Sequence, residues 1–136
     1  MTQQTSRPKG LHIALWILQI GLGAIFVMAG IMKSSQPIAE LSKTLPWTAQ
    51  IPEGLVRFIG VCELLGGIGL VLPSIVRIKP KLSPIAAVGL ATVMILAIVY
   101  HVSQDEVNIV GLNLALGLAA GFVAWGRFKK APIQSR

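Results

Sequence analysis

Glu63 is the only charged residue in FIGVCELLGGIGLVLP, residues 58–73. A carboxylate inside so apolar a run has three uses: it handles a proton, contacts a ligand, or pairs with a cation and fixes helix register. Four other polar residues stand where they could join it. Lys33 closes the first apolar run, Tyr100 and His101 close the third, and Asn113 lies inside the fourth. Taken alone, Lys33 reads as a snorkelling anchor and His101 as an interfacial histidine beside Tyr100. Desolvation opposes ionisation of Glu63, and a cation such as Lys33 or His101 favours it.

Sharper chemistries are excluded by what the chain lacks. Cys62 is the single cysteine, so no C-x-x-C pair can exchange thiols with a quinone, and Cys62 itself reads as a buried, inert thiol. His12 and His101 fall at opposite ends of their runs and cannot ligate one haem between them. No metal-ligand spacing, phosphate-binding loop or nucleophile elbow is present, so no metal and no covalently held cofactor is expected.

The elements that must hold these residues follow from composition. The 136 residues are 54% hydrophobic and 12% charged, with a mean hydropathy of +0.73, too little polar surface to coat a small soluble globule. A bilayer core of roughly 30 Å needs about 20 apolar residues per helix. The chain supplies four such runs, at about 11–32, 55–72, 83–101 and 107–126, with a connection at 33–54. The expected fold is an all-α, integral membrane four-helix bundle forming one domain over 1–136. The second run inserts despite Glu63: its eleven Leu, Ile, Val and Phe residues contribute roughly 0.3–0.6 kcal/mol each, against about 2.5–3.5 kcal/mol for a central acid. Arg57, two residues inside that run, can snorkel.

The net charge of +7 is a topology signal, not a nucleic-acid footprint, because the basic residues bracket the apolar runs. Arg7, Lys9, Arg77, Lys79, Lys81, Arg127, Lys129, Lys130 and Arg136 fall on one side, and only Lys33, Lys43 and Arg57 on the other. This bias predicts cytoplasmic N- and C-termini, with the first run retained as a helix in the cell membrane. Trp16 and Trp125 then sit at inner belts and Trp47 and Tyr100 at outer ones. The segment IAELSKTLPW is expected as a loop or a short helix on the outer leaflet, and the tails MTQQTSRPKG and KKAPIQSR as loosely ordered.

Small residues mark the faces that pack. Gly60, Glu63 and Gly67 share one face of the second run, Gly23, Gly30 and Lys33 one face of the first, and Asn113, Gly117 and Gly121 one face of the fourth. Glu63 and Asn113 each lie six residues inside the outer boundary, roughly 9 Å deep at 1.5 Å per residue, so they could meet.

VMAGIMK at 27–33, IGVCELLGGIGLVLP at 59–73 and a third run ending in Tyr100 and His101 resemble the DoxX-like family of small four-helix membrane proteins. That family closes its first helix with Gly-x-x-Lys and carries Gly-x-x-Glu followed by small residues in its second, matched here by Gly30, Lys33, Gly60 and Glu63. His101 falls where many members have a histidine. The family is named for a subunit linked to quinone-dependent thiosulfate oxidation. The resemblance implies a membrane component of a redox or quinone-associated system, in which Glu63, Lys33 and His101 line an outer-facing pocket and a quinone is the candidate cofactor. Two other functions fit the residues. One is a proton-coupled small-molecule transporter, although the one-sided charge argues against dual orientation. The other is a non-catalytic subunit that positions a partner protein. The expected partners are the lipid bilayer, a membrane or redox partner protein, and a second copy of the chain.

Overall fold

The computed structural model describes residues 9–136; residues 1–8, with Arg7 and most of the N-terminal tail, lie outside the described residues. Every regular element among the described residues is helical. The chain forms α1 (Lys9–Ser35), α2 (Ile38–Thr44), α3 (Glu53–Val76), α4 (Leu82–Ser103) and α5 (Val107–Trp125), with a 3-10 turn at Pro46–Ala49 and a π turn at Gly126–Lys130. Helices α1, α3, α4 and α5, the last continued through the π turn, are long and apolar enough to cross a membrane. The count is five helices instead of four because the connection at 33–54 forms α2.

Local signals explain the breaks. Pro37 and Pro52 immediately precede α2 and α3, and Glu40 and Glu53 place negative charge in their first turns, where the helix dipole favours it. Lys33 occupies the last turn of α1, again on the favoured end. Arg57 does not reach for headgroups as expected. Its guanidinium donates to Lys33 O at 3.0 Å and Gln36 O at 2.6 Å, satisfying carbonyls that the end of α1 would otherwise leave unpaired.

Helix α1 packs most closely on α3 and α4 on α5, with α3 against α4 and α1 against α5 completing the bundle. The core runs through Leu15, Leu22 and Phe26 of α1, Leu70 of α3, Leu90 and Met94 of α4, and Ala120 and Val123 of α5. The opposite faces carry Ile17, Leu65, Ile95 and Leu118, all exposed. A helical bundle that is apolar inside and outside is built for lipid.

The α1–α3 seam is backbone on backbone. A Cβ at Gly30 would stand 2.6 Å from Gly60 O, and one at Gly60 would stand 2.6 Å from Ser34 N, so any side chain would force the helices apart. One heptad away, a Cβ at Gly67 would come within 2.9 Å of Val27 N and 3.0 Å of Gly23 O. On α5, Gly117 faces Met94, whose Cβ would lie 3.2 Å from an added Cβ. Gly121 departs from the packing face expected for it: it is exposed and has nothing within 4 Å of where a Cβ would stand. Two i+4 steps from Asn113 rotate a residue about 80° off the starting face, whereas Ala120 and Ala124 stay within about 20° of it. The buried stripe therefore follows Asn113, Ala120 and Ala124.

The short-helix alternative for IAELSKTLPW is realised as α2, and the segment packs onto the bundle: Leu41 and Trp47 are buried against Val56 of α3, with Ile38, Ile59 and Tyr100 packed around them. The C-terminal tail is tied down: Ala131 is buried, Arg136 N–H donates to Arg77 O at 3.0 Å, and Arg77 Nε donates to Gln134 O at 2.8 Å. Those bonds hold Arg77 at φ 59°, a left-handed helix cap that glycine more often fills. The α3–α4 turn, the start of α1 and the chain's end thus share one end of the bundle, called here the termini end. Cys62, expected buried, is partly exposed.

Replacing Gly30 by Ala is expected to lower stability by about 1–3 kcal/mol through overpacking. Gly121→Ala should stay within about 0.5 kcal/mol of wild type. Unfolding in detergent, followed by circular dichroism, measures both.

Candidate functional site

At the end of the bundle away from the termini, α1 and α3 bring Lys33 and Glu63 together. Lys33 Nζ donates to Glu63 Oε1 at 2.6 Å; the Glu63 side chain is 2% exposed and that of Lys33 12%. Lys33 is therefore not a free snorkelling anchor. The Gly30–Gly60 contact brings the backbones close enough for its stem to fold along α3 instead. The ammonium also lies 5.4 Å from the ring centroid of Trp47, a cation–π contact delivered by the 3-10 turn.

Trp47 carries the cluster onward to α4. Its ring meets buried His101 edge-on at 6.0 Å, and His101 meets Tyr100 at 5.3 Å. His101 Nδ1 lies 3.3 Å from Glu106 Oε2, within ion-pair distance but not aligned for a hydrogen bond. Tyr100 turns its hydroxyl toward the connecting segment and donates to Gln50 Oε1 at 3.1 Å. Asn113 is buried on α5 and its Nδ2 has no hydrogen-bond partner, so the expected meeting with Glu63 is not made as a hydrogen bond.

Of the residues singled out from sequence, Lys33 and Glu63 are brought into direct contact, and Tyr100 and His101 join them through Trp47. Trp47 reads in the sequence as a belt residue because nothing in IAELSKTLPW shows that it folds back onto the bundle. Glu106 gives no signal beyond its place in a short turn.

A second polar cluster occupies the termini end. Gln19 Nε2 donates to Leu70 O at 2.7 Å and to Ser74 Oγ at 3.1 Å, and Ser74 Oγ donates to Ser83 Oγ at 2.7 Å. Pro73, one residue earlier in α3, has no N–H for the helix ladder. Arg127, 3% exposed, donates through Nε to Gln19 Oε1 at 2.6 Å and through an Nη to Ala131 O at 2.8 Å. The same Nη lies 2.9 Å from His12 Nδ1. A guanidinium can only donate, so His12 Nδ1 accepts and its proton sits on Nε2. The sequence offered one signal for Arg127 that a count of cytoplasmic charges passes over: it lies one heptad after Ala120 and two after Asn113, in phase with the buried stripe.

Among the described residues no group of His, Cys, Asp and Glu is arranged to hold a metal ion. Four long apolar helices with lipid-facing exteriors and polar groups turned inward define a multi-pass helical membrane protein. The profile of the DoxX-like family matches residues 17–123, which include the Lys33–Glu63 pair and His101, and the chain belongs to that family. No curated protein and no solved structure matches the chain.

The ion pair makes an asymmetric prediction. Lys33→Met strands a nearly inaccessible carboxylate and is expected to cost about 3–5 kcal/mol. Glu63→Gln should cost less, since the Lys33 stem can carry its ammonium toward the nearby interface. The double variant Lys33→Met/Glu63→Gln should recover most of the loss. Unfolding midpoints in one detergent compare all four proteins.

Proposed function

We propose that this chain is a cell-membrane component of a redox or quinone-associated system, with the Lys33–Glu63 end of the bundle as its ligand-contacting site. The observation that carries the reading is an excess of buried polar capacity at this end. Asn113 Nδ2 is buried without a hydrogen-bond partner, and His101 Nδ1 is buried with only an unaligned Glu106 carboxylate 3.3 Å away, in the same half of the bundle as a desolvated ion pair. Buried polar atoms without partners are costly and mark functional sites when a native fold keeps them. A headgroup with carbonyl oxygens suits this donor set: Asn113 Nδ2 and Lys33 Nζ donate, and His101 donates from whichever ring nitrogen carries its proton.

A quinone bound there would supply two-electron redox chemistry. The residues of this chain would bind and orient its headgroup, with Trp47 and Tyr100 giving it an aromatic wall. The one-sided distribution of basic residues favours cytoplasmic termini, which turns this site toward the outer face. One fixed orientation also weighs for a subunit of an assembly over a dual-topology exporter.

The test is to purify the protein in mild detergent and identify co-purifying small molecules by mass spectrometry. Wild type is expected to retain a quinone or a related carbonyl compound that Glu63→Gln loses by about tenfold, because Lys33, no longer held by the carboxylate, withdraws one charge-assisted hydrogen bond from the headgroup. Identical contents in the two proteins would sink the reading. Asn113→Leu provides a second check, because it removes the unpaired amide. It should raise stability by about 1 kcal/mol while lowering ligand retention, a trade seen only if the amide serves the ligand.

A further inference from the structure

Two concave surfaces lie end to end along one seam between α1 and α3, at the half of the molecule that the proposed site does not use. The first, at the termini end, is a cleft of about 450 Å³ walled by His12, Trp16, Ser74, Arg77 and Gln134. The second is an apolar groove of about 360 Å³ continuing toward the middle of the bundle, walled by Ile20, Ala24, Val27, Ile68 and Val71. Ile75 lines both. On α1 the walls take residues 12, 16, 20, 24 and 27 in turn, and through Ile75 the two openings adjoin along the bundle's side.

The chemistry changes sharply along it. The cleft is rich in polar groups and basic. Arg77 spends its Nε on Gln134 O, and its two terminal amino groups donate to no protein acceptor among the described residues. The buried Arg127 lies behind His12 and adds a second positive charge to that wall. The groove beyond Ile75 has no charged residue and a floor opened by Gly23 and Gly67. From Ile75 to Gly67 it runs about 12 Å along α3 at 1.5 Å per residue. A basic, hydrogen-bonding mouth that leads into an apolar trough parallel to the helices has the shape and polarity of a phospholipid.

We propose that this seam binds an anionic phospholipid, its phosphate held at the termini end by Arg77 and the polar rim of the cleft, and one acyl chain laid in the α1–α3 groove. The Gly30–Gly60 contact draws these helices together at the far end of the seam. Gly23, close-packed on α3, and the small exposed Ala24 leave the groove open between the larger apolar residues on either side. The anchored C-terminal tail contributes Gln134 to the wall of the cleft, held there by the bonds of Gln134 O and Arg136 N–H to Arg77. The lipid would thereby join α1, α3 and the tail at a membrane surface where positive charge is dense.

The experiment uses the full-length protein in detergent and native mass spectrometry, with phosphatidylglycerol and phosphatidylcholine of identical acyl chains as probes and inorganic phosphate as a third arm. Wild type is expected to retain phosphatidylglycerol about fivefold better than phosphatidylcholine, the worth of one cationic side chain near a membrane surface. Arg77→Gln should remove that preference, and Arg77→Lys should keep most of it. Ala24→Phe fills the groove from an exposed position and should weaken both lipids equally without changing their ratio. Equal retention of the two lipids by wild type would overturn the proposal. So would a preference that survives Arg77→Gln, or displacement of phosphatidylglycerol by inorganic phosphate alone, which would mark a free-anion site. Should Arg77→Gln fail to fold, the response to Ala24→Phe decides: unchanged retention there also refutes the seam. Glu63→Gln is expected to leave the lipid ratio untouched, which keeps this outcome separate from that of the proposed ligand site.

Discussion

The molecule depends on the approach of α1 to α3. Lipid offers no hydrophobic drive between helices, so they associate through van der Waals contact and the few polar bonds they can form across the interface. Gly30 against Gly60, and Gly23 and Gly67 a heptad away, supply that contact at backbone distance. Everything polar at the ends follows from it. A lysine that would otherwise extend toward solvent is drawn over α3 to Glu63, and Gln19 is brought within reach of Leu70 O and Ser74. Arg57 then seals the end of α1 by taking up its last carbonyls.

The same approach explains how a helix with a central acid resides in a membrane. Glu63 enters at a cost close to what its apolar neighbours offset, and the ion pair with Lys33 reduces the charge that must be solvated. Trp47 covers the ammonium with an aromatic face instead of water. The short α2 and the 3-10 turn are therefore part of the bundle's polar architecture and not merely a connection. Without them the pair would open to the interface, and His101 would lose its edge-on neighbour.

The four spans were legible because apolar length is a one-dimensional property that any window along the chain reveals. The glycine face of α3 was legible for a similar reason: Gly60, Glu63 and Gly67 recur at helical spacing, and all three are buried. What the sequence hid is three-dimensional. Trp47 belongs to the site only because residues 38–49 fold onto α3 and α4. Arg127, counted among surface charges, turns inward because the π turn continues the buried phase of α5. Gly121 misled for the converse reason, since steps of four residues drift around the helix while the contact stripe does not.

The two polar clusters are separated by a layer with no hydrogen-bonding side chain in the core: Leu22 and Phe26 on α1, Leu70 on α3, Leu90 and Met94 on α4, and Ala120 on α5. Along α3 the interval from Glu63 to Ser74 is about 16 Å. Among the described residues that layer holds no side chain that could pass a proton, so in this conformation the two polar clusters have no side-chain relay between them through the core, and each end of the bundle can rearrange its hydrogen bonds without the other.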